Sequence, residues 1–237
     1  MSEHIVSSYD AELQDLRRLI TEMGGIAEKM VVEAITALIR RDTGLAQAVI
    51  AADSRLDVLQ RQVEEQAILM IARRQPLAVD LRETISAIRV SGDVERIGDL
   101  AKNIAKRVLA IASQFQPQKI VIGVEHMSDL VMAQLKDVLD AYTGRDVEAA
   151  LDVWRRDGAI DALYTSLFRE LLTYMMEDPR NISFCTHLLF CAKNIERIGD
   201  HTTNIAETIH YLVIGEPIAA ERPKNDQSSF ATVEAEV

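Results

Sequence analysis

The chain has 237 residues, a formal net charge of −11 and 5% aromatic residues, so it offers neither a basic phosphate-tracking groove nor a base-stacking platform, and no nucleic-acid partner is expected. Its length and 48% hydrophobic content suffice for one large core or two modest ones. No stretch approaches the roughly 18 consecutive apolar residues of a membrane span, and Met1-Ser-Glu-His-Ile lacks a basic segment before an apolar one. A cytoplasmic protein is expected, reaching a membrane only through partner proteins.

Ten glycines and five prolines leave few helix interruptions, and no strand-like alternation bounded by turns appears, which predicts an all-α fold. Taken in order, helical stretches run over 11–40, 44–74 and 77–114, broken at Thr43-Gly44 and before Pro76. The third carries Val90, Val94, Ile97, Ala101, Ile104, Val108 and Ile111 at alternating steps of four and three, a coiled-coil-like seam. After Gln116-Pro117-Gln118-Lys119 the pattern starts again. Sliding the chain by 104 residues pairs Met23 with Met127, Asp42 with Asp146, Asp53 with Asp157, Asp57 with Asp161 and Leu59 with Leu163. A break at Thr143-Gly144 and another at Pro179 divide the second half likewise. Its third helix repeats the seam as Leu188, Cys191, Ile195, Ile198, Thr202, Ile205, Ile209 and Leu212.

Short connections make neighbouring helices antiparallel, so the prediction is two tandem three-helix bundles, six long helices in all, over 1–118 and 119–215. Beyond residue 216 the composition turns to Pro, Glu, Lys, Asn, Asp, Gln and Ser, which predicts a disordered tail over 216–237.

The polar part of the repeat carries the chemistry. Residues 93–104 and 194–205 share Glu-Arg-Ile-Gly-Asp followed by Asn-Ile, in one register against the two seams. Glu95 and Asp99, and likewise Glu196 and Asp200, then fall four apart on a stripe expected to point away from the core. Like charges so placed cost a helix roughly 0.2–0.5 kcal/mol per pair unless a cation sits between them. Gly98 and Gly199 lie beside the stripe, where a mid-helix glycine costs roughly 1 kcal/mol against alanine and leaves room for a close approach. The plain alternative is a solvated charged face on which Arg96 pairs with Asp93 or Asp99, and Arg197 with Asp200.

Other candidates are weaker. Cys185 and Cys191, six residues apart on one helix, are separated by about 9 Å of rise, beyond the roughly 7 Å limit of a disulfide, and are expected to be core thiols. Trp154, Met175 and Met176 are most simply core. His201 follows Asp200 and is either a ligand or a packed histidine. No nucleophile motif or phosphate-binding loop is present.

The residues Gln75-Pro-Leu-Ala-Val-Asp-Leu-Arg82, Glu95-Arg-Ile-Gly-Asp99 and Glu196-Arg-Ile-Gly-Asp-His-Thr-Thr-Asn-Ile-Ala-Glu207 resemble the phosphate-specific transport system accessory protein family, PhoU, over about residues 9–215. The resemblance implies a non-enzymatic regulator that restrains the phosphate-starvation response, working with the ATPase of the phosphate ABC transporter and a sensor histidine kinase, and assembling as a homodimer. It also implies metal clusters held by paired acidic motifs: Asp53, Asp57, Glu95 and Asp99 in the first half, Asp157, Asp161, Glu196 and Asp200 in the second. Arg96 and Arg197 would then face partners. All-oxygen ligation suits magnesium, manganese, calcium or iron better than a structural zinc site. Leu100-Ala-Lys stands where the second half has His201-Thr-Thr, so the clusters are expected to differ. Two alternatives compete: a metal-free helical scaffold, and a ferritin-like di-metal enzyme. The latter requires two inward Glu-x-x-His motifs, against the single off-seam Glu207-Thr-Ile-His210.

Overall fold

Each half opens on a long helix that stops at a tight turn. The computed structural model describes residues 2–113, 118–222 and 226, with side chains from 9–113, 121–222 and 226. The helices are α1 (Ser2–Arg40), α2 (Thr43–Arg74), α3 (Val79–Ile111), α4 (Gln118–Gly144), α5 (Val147–Glu177) and α6 (Ile182–Ile214), with a 3₁₀ turn at Pro179–Asn181 before the last. Among the described residues there is no strand. The Asp42/Asp146 repeat has a local cause: Asp42 accepts from the backbone N–H of Leu45 at 2.9 Å and Asp146 from that of Ala149 at 3.0 Å, capping α2 and α5. Each cap is worth on the order of 1 kcal/mol against alanine. Gln75, in left-handed geometry with φ 49°, ends α2 just before Pro76.

The fold is all-α, with α1, α2 and α3 packed as one bundle and α4, α5 and α6 as the other. Every residue of both predicted seams is buried. The halves meet where α3 lies against α6 and α1 against α4. Arg89 over the Tyr211 ring at 5.6 Å, His201 against Asp93 at 2.8 Å and Arg107 beside His187 at 3.5 Å show that α3 and α6 run antiparallel. Buried Glu83 ties the same seam together by pairing with Arg17 of α1 and with Arg145 of the turn before α5.

Smaller expectations resolve at this level. Cys185 and Cys191 are buried free thiols, and burial pushes Cys191 up to about 12. Trp154 is buried and its indole N–H donates to Glu207 at 3.0 Å, whereas Met176 is 53% exposed rather than core. Met176 lies in the last turn of α5, where the chain leaves the bundle for the 3₁₀ turn.

Gly215 turns the chain back. Its φ of 90° belongs to the left-handed region, and its N–H closes α6 on the carbonyl of Tyr211 at 2.9 Å. The segment that follows runs against α6 in reverse: Glu216 gives its carbonyl to His210, Arg222 reaches Asp200 and Asn204, and Asp226 reaches Lys193. The tail expected to be disordered thus has residues 216–222 and 226 described, while 223–225 and 227–237 lie outside the described residues.

Candidate functional site

The duplicated acids do not stand on an outward stripe. Asp157, Asp161 and Glu196 are 2%, 4% and 5% exposed, and Asp53 is 9% exposed. Glu95, Asp57, Asp99 and Asp200 are half-buried. The reason is topological. A single seam leaves a helix face free only when one neighbour covers the helix, but α3 is flanked by α1, α2 and α6, and α6 by α3, α4 and α5. The face carrying Glu95 and Asp99 therefore lies along α2, and that carrying Glu196 and Asp200 along α5.

In the first half, Lys102 on α3 closes the cluster. Its ammonium donates to Asp53 on α2 at 2.5 Å and to Asp99 at 2.6 Å, bridging the two helices. Burial disfavours the charge on Lys102, but the hydrogen bonds to both carboxylates outweigh it and raise its pKa. Glu95 is pushed above the usual carboxylate range by burial and by the negative charge of Asp99, with Asp57 and Asp53 adding to it. Arg96 is 63% exposed and reaches Asp99 at 3.3 Å, one of the two partners the plain surface alternative expected, and also Glu95 at 3.5 Å.

In the second half, the residue equivalent to Lys102 is Thr203, whose hydroxyl donates to Asp157 at 3.0 Å but brings no charge. The cation comes instead from the tail. Arg222 donates to Asp157 at 2.8 Å and to Asp200 at 2.5 Å, bridging α5 to α6 as Lys102 bridges α2 to α3. Asp200, expected to pair with Arg197, pairs with Arg222; Arg197 is exposed. Lys193 pairs with Glu196 at 2.8 Å and Asp226 at 3.0 Å. Glu196 is nevertheless raised to about 7, because burial and the neighbouring Asp200 and Asp161 outweigh the hydrogen bond from Lys193. Its Oε2 is buried without a hydrogen-bond partner.

His201 points across the seam between the halves. Its Nδ1 meets Asp93 at 2.8 Å, so Asp93 rather than the second cluster orients it. Glu207 accepts from Trp154, and His210 meets the carbonyl of Glu216, so the Glu-x-x-His pair serves packing and tail placement.

Gly98 and Gly199 answer a packing need. A Cβ at Gly98 would collide with the Leu56 side chain, and one at Gly199 would lie 3.1 Å from Ile160 Cδ1. Leu56 and Ile160 are themselves equivalent positions of the repeat. The close approach anticipated at these glycines is that of an apolar side chain, three residues beyond Asp53 on α2 and Asp157 on α5.

The bridging cations were not identified by sequence reasoning. The available signal was the exchange of Lys102 for Thr203, within the stretch where Leu100-Ala-Lys gives way to His201-Thr-Thr, which removes one charge from the second cluster. Among the described residues, no group of three or more His, Cys, Asp or Glu side chains stands in metal-holding geometry.

This duplicated arrangement is matched by known proteins in both halves. The PhoU domain covers residues 20–108 and again 124–209. The chain belongs to the PhoU family. A PhoU homolog from Rhizobium meliloti (strain 1021), described as a phosphate-specific transport system accessory protein, is 58% identical over 226 residues, covering 95% of each chain. One from Caulobacter vibrioides is 54% identical, covering 95% of this chain and 98% of that one. The crystal structure of PhoU from Pseudomonas aeruginosa superposes with a TM-score of 0.86 at 40% identity, over 88% of this chain and all of that one. A phosphate transport system regulatory protein PhoU from Streptococcus pneumoniae gives 0.82 at 28% identity, over 90% and all of the respective chains. Among the described residues, no helix is long and apolar enough to cross a membrane.

Proposed function

We propose that this PhoU-family chain is a cytoplasmic, non-catalytic adaptor that restrains the phosphate-starvation response, working with the ATPase of the phosphate ABC transporter and a sensor histidine kinase. Near full-length identity to phosphate-transport accessory proteins is the observation that carries this reading. The long paired helices supply a rigid body, and exposed Arg96 and Arg197 supply contacts for acidic groups on partners. Deleting the chain from its host should leave a starvation-induced promoter active in phosphate-rich medium; a promoter that stays silent would overturn the proposal.

A second reading adds metal. It is supported by the all-oxygen donor set and by the buried, partnerless Oε2 of Glu196, an oxygen that accepts a cation without losing a hydrogen bond. Asp53, Asp57, Glu95 and Asp99 would hold the first ion or cluster, and Asp157, Asp161, Glu196 and Asp200 the second. Iron, manganese, magnesium and calcium fit these oxygens better than zinc. A bound cation would supply charge neutralisation between helices, the service now given by Lys102 and Arg222. Elemental analysis of untagged protein, beside a variant with Glu95, Asp99, Glu196 and Asp200 changed to alanine, tests it: stoichiometric metal lost in the variant is expected, and none in either contradicts it.

A further inference from the structure

The second cluster is bridged by a residue from outside the helical bundle. Lys102 is anchored on the same helix as Asp99, three residues on, so it belongs to the bundle itself. Arg222 arrives on a segment that has already left α6 at Gly215, and it is held by side-chain contacts to two helices. It donates to Asp157 Oδ2 at 2.8 Å, Asp200 Oδ1 at 2.5 Å, Asn204 Oδ1 at 3.4 Å and the carbonyl of Asp200 at 3.5 Å. A guanidinium between two carboxylates sits where an external cation would bring the same neutralisation, and both cannot be there together. Beside it, 95% of Glu196 is covered, with Oε2 lacking a partner, so the cluster retains an oxygen that Arg222 does not serve.

The same segment shapes a groove of about 780 Å³ over α3 and α6. Pro217, Ile218 and Ala220 line it together with Arg89 and Glu95. Arg222, two residues beyond Ala220, ties this segment to Asp157 on α5 and Asp200 on α6.

We propose that Arg222 is a tethered cation that competes with an external divalent metal ion for the second cluster, so that metal uptake there releases residues 216–222 and opens the groove, whereas the first cluster, whose Lys102 belongs to α3, has no segment to release. The proposal rests on the reading that the second cluster can take a metal. A tether presents Arg222 at high effective concentration, so its removal raises the apparent metal affinity of that one site.

The test uses untagged, chelator-treated full chain and Mn²⁺, with calorimetry for binding and hydrogen–deuterium exchange of residues 216–222 for the tail. In Arg222→Ala, one class of Mn²⁺ site should tighten at least about tenfold, and its tail should exchange fast with or without metal. In the unaltered chain, Mn²⁺ should raise tail exchange to the Arg222→Ala level with the midpoint of binding. Equal affinity in the two proteins, or a tail that stays protected at saturating Mn²⁺, overturns the exchange and leaves the metal site standing. Absence of Mn²⁺ binding from both proteins overturns the metal reading, and the exchange falls with it.

Discussion

The two acid clusters use the same carboxylates at equivalent positions and differ in where their cation comes from. The first half carries Lys102 on the helix that bears Asp99; the second puts Thr203 there and takes Arg222 from 19 residues further along the chain. Lysine moves to the other side of the motif as well, since Lys193 faces Glu196 where the first half has Gly92. Charge balance in the first half is thus built into the bundle, whereas in the second it depends on a segment outside it. A duplicated fold has kept its helices alike while drawing the cation of one of two similar sites from a segment beyond them.

The largest difference between the halves should follow from removing the cations. Lys102→Ala leaves Asp53 and Asp99 facing each other, both largely covered, and should cost about 2–4 kcal/mol in chemical denaturation. Arg222→Ala should cost about 1–2 kcal/mol, because water can enter where the tail withdraws. Equal losses would erase the distinction between a built-in and a borrowed cation.

Protonation gives a second comparison. Glu196 is held at about 7 in the folded chain against an ordinary 4.5, so the folded state binds this proton more tightly than the unfolded state. The resulting stabilisation is complete below about pH 4.5 and is lost as pH rises to about 7. In chelator-treated protein, unfolding free energy should therefore fall with pH over that window by up to about 1.4 kcal/mol per pH unit relative to Glu196→Gln. Glu95 is raised in the same direction, so Glu95→Gln should flatten the profile too, and by less because Glu95 is the more exposed. Profiles parallel to those of the unaltered chain would contradict the burial argument.

The smallest effect concerns the glycines. Alanine gains roughly 1 kcal/mol of helix propensity at either site, but overpacking costs typically 1–3 kcal/mol. Gly98→Ala, which meets Leu56 closely, should lose about 1 kcal/mol, and Gly199→Ala should be near neutral because Ile160 needs to yield only a few tenths of an ångström. A reversed order would show that Leu56 relaxes freely.

Most of the fold is legible in the sequence, because the steps of four and three through Val90 to Ile111 and Leu188 to Leu212 encode the buried faces directly. The repeat of Asp53, Glu95 and Asp99 by Asp157, Glu196 and Asp200 likewise marks the two acid clusters. Their surroundings are harder to read. A seam identifies one covered face, while α3 and α6 are each covered by three neighbours, so acids off the seam are still enclosed. Each cation stands far along the chain from the aspartate it reaches on the neighbouring helix: Lys102 is 49 residues from Asp53, and Arg222 is 65 from Asp157. No helical periodicity relates such positions, and a polar, proline-bearing tail gives no local sign that one arginine is docked.

Hydrogen–deuterium exchange of residues 216–222 in a Thr203→Lys variant, without metal, tests the contrast between the clusters most directly. The substitution supplies the second half with the on-helix ammonium that the first half has. Asp157 and Asp200 should then be bridged from α6, Arg222 should be displaced, and the tail should exchange as fast as it does in Arg222→Ala. Tail protection equal to that of the unaltered chain would mean that Arg222 does not hold its place by supplying the missing charge.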